Sequence, residues 1–379
     1  MKKLGVGIIG CGNISKAYLD LAPNFKALEM RAVADLNMEA AQTRADEYEG
    51  VRALTVDALL AAHDVDLIIN LTVPAAHFAV TKRILEAGKH AYSEKPYVLT
   101  LEEGKELSEI CAKTGLRVGS APDTFMGGAH QMVRDLIDGG KLGKITSGTC
   151  HFMGAGMEMW HPNPDFFFQP GGGPVLDMGP YYITNLVQLL GPVTRVAALS
   201  NKGKTERIIT TDCPRQGEVV PVLVDTTTHA LLQFESGAAI TLSLSWDVQA
   251  HKHQNMELYG TQGAIYVPDP NFFGGTIEMC AAGEEMSEVA LWDHPFSVVN
   301  MEDGQGNPQA NYRTAGVADM AQAIVEDRPH RCSMELATHV IDVLTSVLKS
   351  GEEGRFVDIG TTCERPAAVT PDEAAKLLG

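Results

Sequence analysis

The sequence predicts an α/β protein with a doubly wound parallel sheet at its N-terminus and an α+β domain after it. Three observations support this fold class. Short apolar runs alternate with helical segments over the first 121 residues, a glycine-rich turn follows the first run, and the chain becomes strand-rich after Pro122. We expect domains over residues 1–121 and 122–360, and a C-terminal tail over 361–379.

The first domain is predicted from apolar runs at 4–9, 30–34 and 65–71, which are typical of strands buried on both faces. Helical patterns follow at 14–21, 38–48, 74–87 and 101–113, and short strands are predicted at 89–93 and 116–119. Repeated units of this length indicate a parallel sheet with helices on both faces.

The second domain is predicted to hold a large, open-faced, mainly antiparallel sheet. Strand patterns occur at 145–154, 195–200, 228–246, 256–267 and 276–280, and two contain hairpin signals, at 235–237 and 260–263. Helical patterns occur at 132–137, 318–326 and 334–349, and the tail contains one short helix after Thr370-Pro371.

Composition excludes several classes of partner. Over its 379 residues the chain has 30 basic and 48 acidic side chains and a net charge of −18, which argues against nucleic acid and membranes as partners. No apolar run reaches the ~18 residues of a membrane span, and the N-terminus lacks a secretory signal pattern, so we expect a cytoplasmic protein. The spacing of the seven cysteines indicates free thiols.

The glycine-rich turn, Gly10 to Ser15 ("GCGNIS"), fits G-x-G-x-x-G except that Ser15 replaces the third glycine. Gly10 permits the sharp turn, and Gly12 lets the backbone approach a diphosphate. The diphosphate would then lie at the N-terminus of a helix, beside Asn13 and Ile14. This pattern predicts a dinucleotide-binding Rossmann domain.

Asp35 supports the same prediction, since it ends the second predicted strand 20 residues after Ser15. A carboxylate at this place binds the hydroxyls of the adenosine ribose and repels a 2′-phosphate. The nearest arginine that follows is Arg44, so we favour NAD over NADP. The alternative for Asp35 is a helix N-cap, although Asn37 lies closer to the predicted helix.

Two further segments carry a resemblance to a known family. "SEKPYVLT" (93–100) and "PGGGPVLDMGPYYITNLVQLLGPV" (170–193), with the glycine turn and the domain order, resemble the Gfo/Idh/MocA family of sugar and cyclitol oxidoreductases. The resemblance covers the chain from Gly7 to about Val357. It implies a small-molecule sugar or glycoside substrate, and a homodimer or homotetramer formed through the open face of the second sheet.

The resemblance implies that Lys95 lies beside the nicotinamide and holds a substrate hydroxyl. It places Glu94 near the nicotinamide ribose and Pro96 after a cis peptide. An ammonium in this place would stabilise the developing alkoxide. The alternative for Lys95 is a solvated loop lysine, the usual environment of this residue type.

Asp177 and Tyr181 lie four residues apart, which places them on one face of a helix. Pro180 predicts an irregular first turn, with a regular helix from about Tyr181 onwards. Many family members have histidine in place of Tyr181; a tyrosine would need Lys95 nearby to lower its pKa, or would relay a proton. Asp177 is then a second sugar anchor or the final proton acceptor. The alternatives are a core aromatic for Tyr181 and a cap for Asp177, and we expect Tyr182 to point elsewhere.

Other candidate contacts come from loops. Thr72, Pro74 and His77 match the family's T-x-P-x-x-H pattern of cofactor contacts, although a single helical histidine is also commonly structural. Asp123 follows the last predicted strand of the first domain, within reach of the nicotinamide and substrate.

The aromatic loop 158–173 adds Trp160, as a pocket wall for a sugar, and His161, as a partner of a sugar hydroxyl. We expect Phe166, Phe167 and Phe168 to pack under this loop. His251 and His253 lack a third ligand in the sequence, and we expect no metal.

The leading hypothesis is an NAD-dependent dehydrogenase that oxidises a secondary hydroxyl of a sugar, glycoside or cyclitol to a ketone, with Lys95, Asp177 and Tyr181 as catalytic residues. One alternative is an NAD-dependent glycosidase, which would use transient oxidation and elimination. The other is a non-catalytic NAD-binding regulator, which would not need these three residues together.

Overall fold

The computed structural model describes residues 3–302, Gly306 and residues 308–379, and it divides the chain into two compact units. The first unit comprises the residues up to Gly128, Asp293–Ile341 and Pro366–Gly379. The second comprises Ala129–Trp292 and Asp342–Arg365. The units therefore differ from the contiguous ranges expected from sequence, because segments of the expected second domain and of the tail pack with the first unit.

The first unit contains a six-stranded sheet in the order β3-β2-β1-β4-β5-β6, with every pair parallel. Its strands are β1 (Leu4–Ile9), β2 (Leu28–Ala34), β3 (Arg52–Leu54), β4 (Leu67–Asn70), β5 (His90–Ser93) and β6 (Val118–Ser120). All residues of β1 are buried, as the continuous apolar run predicts. The strand order reverses between β1 and β4, and ligands of such sheets bind at the carboxyl ends of the strands at this reversal.

Helices connect the strands of this sheet and complete the unit. They are α1 (Asn13–Leu21), α2 (Met38–Asp46), α3 (Val56–Ala61), α4 (His77–Glu86), α5 (Leu101–Thr114), α8 (Ala315–Glu326) and α10 (Pro371–Leu377), together with the first residues of α9 (Met334–Glu353). The unit also includes a pair of short strands, β17 (Met301–Glu302) and β18 (Pro308–Gln309). α5 shows why these helices begin where they do, since the Thr100 hydroxyl accepts the Glu103 N–H and the Glu103 carboxylate accepts the Thr100 N–H.

The second unit contains a nine-stranded sheet in the order β16-β15-β14-β13-β7-β12-β11-β8-β19. Its strands are β7 (Ile145–Met153), β8 (Val193–Asn201), β11 (Thr227–Phe234), β12 (Ala239–Ser245), β13 (Met256–Gly260), β14 (Gly263–Val267), β15 (Glu278–Ala281), β16 (Ser287–Glu288) and β19 (Val357–Asp358). A separate pair is formed by β9 (Glu206–Ile208) and β10 (Val219–Pro221). β7 and β12 are parallel and the other neighbours are antiparallel, which confirms a mainly antiparallel sheet and both hairpins.

The helices of the second unit are α6 (Gly128–Asp138), α7 (Gly173–Leu190) and the part of α9 from Asp342 onwards. Every residue of α7 except Asp177 is buried, and the helix packs on β7, β11 and β12. The prediction that Pro180 makes the first turn irregular, with a regular helix only from about Tyr181, is wrong, because α7 begins at Gly173 and runs through Pro180 without a break. Proline at this position removes one helical hydrogen bond, the one to Leu176 O, and burial of the remaining residues offsets that loss.

Two properties inferred from composition are visible in the structure. All seven cysteines are free thiols, as their spacing predicts. Among the helices of the described residues, none is both long enough and apolar enough to cross a membrane.

The C-terminal tail from Pro366 onwards is an integral part of the first unit. The Arg331 guanidinium donates hydrogen bonds to Ala368 O (2.8 Å) and to the Glu373 carboxylate (2.9 Å). It also donates to the fully buried Asp319 carboxylate at 2.6 Å. The expected short helix is confirmed as α10, whose first turn is closed by a Thr370–Glu373 capping box.

The buried Asp319–Arg331 pair should therefore contribute to the stability of this unit. Arg331→Met would remove the closer of the two arginines that bind the Asp319 carboxylate and leave Arg328 at 3.0 Å, and we expect the free energy of unfolding to fall by about 2 kcal/mol. The exposed pair Arg195–Asp358 provides the control, and Arg195→Gln should leave the urea midpoint almost unchanged. Equal midpoint shifts for the two variants in urea unfolding would contradict this account.

Candidate active site

The glycine turn has the geometry of an anion-binding site. Gly10 has φ +105°, and a Cβ placed on it would lie 2.6 Å from Leu71 O, so only glycine fits there. A Cβ on Gly12 would meet no protein atom within 4 Å, so protein packing does not require this second glycine. Close approach of a diphosphate does require it. Among the described residues, no side chain caps the start of α1, so its first N–H groups, from Asn13 and Ile14, can bind an anion.

Asp35 lies at the carboxyl end of β2, beside this turn. Its two carboxylate oxygens accept the backbone N–H of Cys11 (2.8 Å) and of Asn37 (2.9 Å). The alternative role as helix cap falls to Asn37, whose side-chain oxygen accepts the N–H of Glu39 at the start of α2. Asp35 is thereby fixed next to the turn, with lone pairs left for ribose hydroxyls.

The third position of the turn is filled by a buried Ser15. Its hydroxyl donates to Gly12 O at 2.6 Å, and the small side chain permits tight helix–strand packing. Arg44 lies close to the turn although it follows Asp35 by nine residues, because α2 brings it back. Its guanidinium lies 3.4 Å from Gly12 O and 2.6 Å from the Glu47 carboxylate.

Glu94 and Lys95 follow β5 at the carboxyl edge of the same sheet. The peptide between Lys95 and Pro96 is cis, as the resemblance implies. One Glu94 oxygen accepts the Lys95 N–H (2.9 Å) and the other accepts the Tyr18 hydroxyl (2.9 Å). Tyr18 was not predicted, since nothing in the sequence of α1 separates it from an ordinary core aromatic; it fixes the direction of Glu94.

His77 connects two loops of this site. Its ring is buried, with Nδ1 2.7 Å from Pro96 O and Nε2 2.9 Å from Thr72 O. Burial lowers the pKa of His77, and the two carbonyl groups partly offset this, because only a doubly protonated ring could donate to both of them. Through these two carbonyls His77 links the loop after β4 to the loop after β5. Cofactor contacts of Thr72, Pro74 and His77 remain predictions.

Asp123 also binds protein backbone groups in the structure. Its Oδ2 accepts the N–H groups of Thr314 and Gly316, both at 3.0 Å, at the start of α8. The carboxyl is 2% exposed, and burial raises its pKa to about 6. This explains why residues after Asp293 pack with the first unit. Contact between Asp123 and substrate remains a prediction.

In the second unit, α7 presents Asp177 and Tyr181 one helical turn apart. Asp177 is half-buried, and Tyr181 is 8% exposed. The neighbouring Tyr182 points into the core, where its hydroxyl donates to His151 O (3.0 Å) and accepts from the Asn255 side chain (3.1 Å). This confirms that Tyr182 faces elsewhere.

The loop after β7 presents Trp160 and His161. The Trp160 indole is 60% exposed and meets the His161 ring edge to face, with centroids 5.3 Å apart. His161 Nδ1 accepts the Asn163 N–H at 3.0 Å, so the neutral ring carries its proton on Nε2 and can donate it in a hydrogen bond. Burial lowers the pKa of His161, and the Asp177 carboxylate partly offsets this.

The remaining aromatic and histidine residues have simpler roles. Phe167 and Phe168 pack under the loop as expected, whereas Phe166 is exposed. His253 stacks on His151 with centroids 4.0 Å apart. Within the residues that the structure describes, no group of three or more His, Cys, Asp or Glu could hold a metal ion.

Comparisons with known proteins agree with these features. Residues 4–121 match the model described as "Oxidoreductase family, NAD-binding Rossmann fold", and residues 130–266 match the "GFO/IDH/MocA C-terminal domain". The dTDP-3,4-didehydro-2,6-dideoxy-alpha-D-glucose 3-reductase of Saccharopolyspora spinosa is 27% identical over 272 residues, which cover 70% of this chain and 75% of that protein. The D-xylose dehydrogenase of Paenarthrobacter nicotinovorans is 24% identical over 321 residues, or 80% of each protein.

A solved structure shows the same fold. Levoglucosan dehydrogenase, in complex with NADH and L-sorbose, aligns with a TM-score of 0.78 at 21% identity and covers 95% of this chain and 100% of that chain.

The buried Asp123 carboxyl should make stability depend on pH. Its pKa is about 6 in the folded protein and 3.8 in the unfolded chain, so the folded state holds this proton more tightly. The contribution to stability is complete below pH 3.8 and is lost as the pH rises through about 6. Relative to Asp123→Asn, the wild-type protein should lose about 3 kcal/mol of unfolding free energy between about pH 4 and 7.

Chemical unfolding of the two proteins across this range measures the effect. Subtracting the unfolding free energy of Asp123→Asn from that of the wild type at each pH removes the contributions of all other carboxyl groups. A difference that stays constant with pH would show that folding does not raise the pKa of Asp123.

Proposed function

Because the chain belongs to the Gfo/Idh/MocA family of oxidoreductases, we propose that it is an NAD-dependent dehydrogenase that oxidises a secondary hydroxyl of a sugar, glycoside or cyclitol to a ketone. The observation that carries this proposal is the fixed Glu94–Lys95 turn, which follows β5 in the unit that contains the glycine turn and Asp35. A protein that only bound the dinucleotide would not need a lysine in this turn, whose backbone the Glu94 carboxylate holds.

The residues of the first unit fit the dinucleotide. Gly10 and Gly12 allow the diphosphate to approach the start of α1, and Asp35 offers lone pairs to the adenosine ribose hydroxyls. The Asp35 carboxylate would repel a 2′-phosphate, and the charge of Arg44 is already paired with Glu47. These charges favour NAD over NADP.

The proposed chemistry assigns one step to each polar group. Bound NAD⁺ supplies the hydride acceptor. The Lys95 ammonium binds the reacting hydroxyl and stabilises the alkoxide that forms when its proton leaves. Tyr181 takes this proton, and Asp177 anchors the sugar or receives the proton finally. The products are a ketone, NADH and one proton.

The sugar class is supported by the loop after β7. An exposed indole such as Trp160 can stack on the C–H face of a pyranose, and the Nε2–H of His161 can donate to a hydroxyl. The names of the two relatives reported above describe enzymes that act on sugars, and one of these sugars is linked to a nucleotide.

A substrate panel tests the proposal. D-Glucose, D-xylose, methyl glucosides and myo-inositol are each incubated with NAD⁺ or NADP⁺, and reduced nicotinamide and sugar products are measured. We expect NADH with a ketone product. Free sugar released from a glycoside at constant NAD⁺ would instead indicate a glycosidase and would overturn the dehydrogenase proposal.

Lys95→Ala should lower kcat at least ~100-fold, because the charge that stabilises the alkoxide is lost. The dissociation constant for NADH, measured by fluorescence titration, should stay within a few-fold of the wild type. Lys105→Ala, an exposed lysine on α5, is the matched control and should keep full activity. Retained activity in Lys95→Ala would show that Lys95 is not the reactive lysine.

We also propose that the open face of the nine-stranded sheet binds a second copy of the chain. Leu199 on β8, Leu231 on β11 and Phe356 beside β19 are 75%, 54% and 60% exposed and line one apolar groove. An apolar sheet face in a chain of net charge −18 can bury itself against the same face of a second copy.

Leu231→Asp should therefore disrupt self-association, because it places a carboxylate in the proposed contact. We expect the dissociation constant of the oligomer, measured by analytical ultracentrifugation, to rise at least ~10-fold. Val219→Asp, at an equally exposed apolar position on β10, should have no effect. A wild-type protein that sediments as a monomer would contradict the proposal.

A further inference from the structure

We propose that Arg207 is a positioning residue that fixes the loop 154–172, and with it Trp160 and His161, in the geometry that the substrate needs. The link to substrate rests on the proposed function; the fixing of the loop does not.

Arg207, on β9, is a buried cation between two carboxylates. Its side chain is 2% exposed. One terminal nitrogen donates to Glu158 Oε1 and to Ala155 O, both at 3.0 Å. The other donates to Asp247 Oδ1 (2.5 Å) and to Trp246 O (3.1 Å). Arg207 thus joins the loop to the end of β12.

The loop side of this contact is tightly constrained. Glu158 lies in a short 3₁₀ turn, Met157–Met159, directly before Trp160, and its carbonyl accepts the Thr210 N–H at 3.0 Å. Gly156 has φ +128°, and a Cβ there would lie 2.3 Å from Glu158 Oε2. The positive φ of Gly156 would be strained for any other residue, so a substitution there would disturb the contact between the Glu158 carboxylate and the guanidinium.

The sheet side is fixed by hydroxyl groups. Asp247 Oδ2 accepts the hydroxyls of Thr226 (2.6 Å) and Thr227 (2.7 Å), at the start of β11. Hydrogen bonds therefore link β11 to Asp247, Asp247 to Arg207, and Arg207 to Glu158. Glu158 lies two residues before Trp160 in the chain.

Burial of the loop alone does not explain this arrangement. Met157, Phe167, Phe168 and Trp246 already form an apolar cluster beneath the loop. Replacing buried ion pairs by apolar side chains commonly costs no stability, so charges are not needed for packing here. Charge-assisted hydrogen bonds fix direction as well as distance. That precision matters where an exposed indole must meet a rigid sugar ring.

The same loop belongs to the candidate site within this unit. The Asp177 carboxylate on α7 acts electrostatically on the His161 ring, which places Trp160 and His161 near a proposed sugar anchor. A change in the direction of the loop would therefore move two substrate contacts at once.

Hydrogen exchange followed by mass spectrometry tests whether Arg207 fixes the loop. In Arg207→Met, peptides that cover residues 155–168 should exchange at least ~10-fold faster, whereas β11 peptides should keep their wild-type rates. Arg207→Lys should restore part of the protection, and Arg195→Gln is the control. If Arg207→Met does not fold, Glu158→Gln provides the same test in a milder form. Unchanged exchange in the loop, or an equal rise throughout the unit, would overturn the proposal.

Kinetics on the panel sugar that is oxidised fastest test the link to substrate. Arg207→Met should raise KM for that sugar at least ~10-fold and leave KM for NAD⁺ within two-fold. Because Arg207 is proposed to act through both Trp160 and His161, adding Arg207→Met to the double variant Trp160→Ala/His161→Ala should lower kcat/KM little further. A further loss as large as the one that Arg207→Met causes in the wild-type protein would overturn this role. A wild-type protein that oxidises no sugar contradicts the proposed function, and hydrogen exchange still decides whether Arg207 fixes the loop.

Discussion

The close approach of the glycine turn to β4 is the constraint on which the first unit depends. Gly10 passes so near Leu71 O that no side chain fits, and this sets the direction in which α1 leaves the sheet. The direction of α1 places its first N–H groups at the carboxyl edge of the strands and brings the Tyr18 hydroxyl to Glu94. Glu94 in turn holds the Lys95 N–H. One glycine therefore governs both the proposed anion site and the orientation of the proposed catalytic turn.

The sequence predicts the parts of the fold that have a local signal. Apolar runs identified β1, β2 and β4, and turn residues identified the β11–β12 and β13–β14 hairpins. The division into units was not predictable in this way, because the return of α8 to the first unit depends on Asp123, whose backbone partners follow nearly 200 residues later. β9 was missed because three residues between turns have no clear period, and Arg207 was missed with it.

At positions that the motifs located, the structure adds hydrogen-bond partners that the motifs did not predict. His77 and Asp123 were expected to contact cofactor or substrate, and in the structure they bind backbone groups of neighbouring loops. A motif records that a residue is constrained, and a buried side chain that orients a loop is constrained as strongly as one that touches a ligand. Only the positions of hydrogen-bond partners distinguish the two.

The two units hold their polar groups by different means, and the difference follows from where those groups lie on the chain. Asp35 and Glu94 come directly after strands, so the parallel sheet already fixes their backbones and a few hydrogen bonds complete the orientation. Trp160 lies in a long loop, where no strand fixes the backbone. Such a loop needs an anchor of its own, and a buried arginine between carboxylates on the loop and on the sheet supplies it. The charge of Arg207 is therefore explained by the length of the loop that it holds.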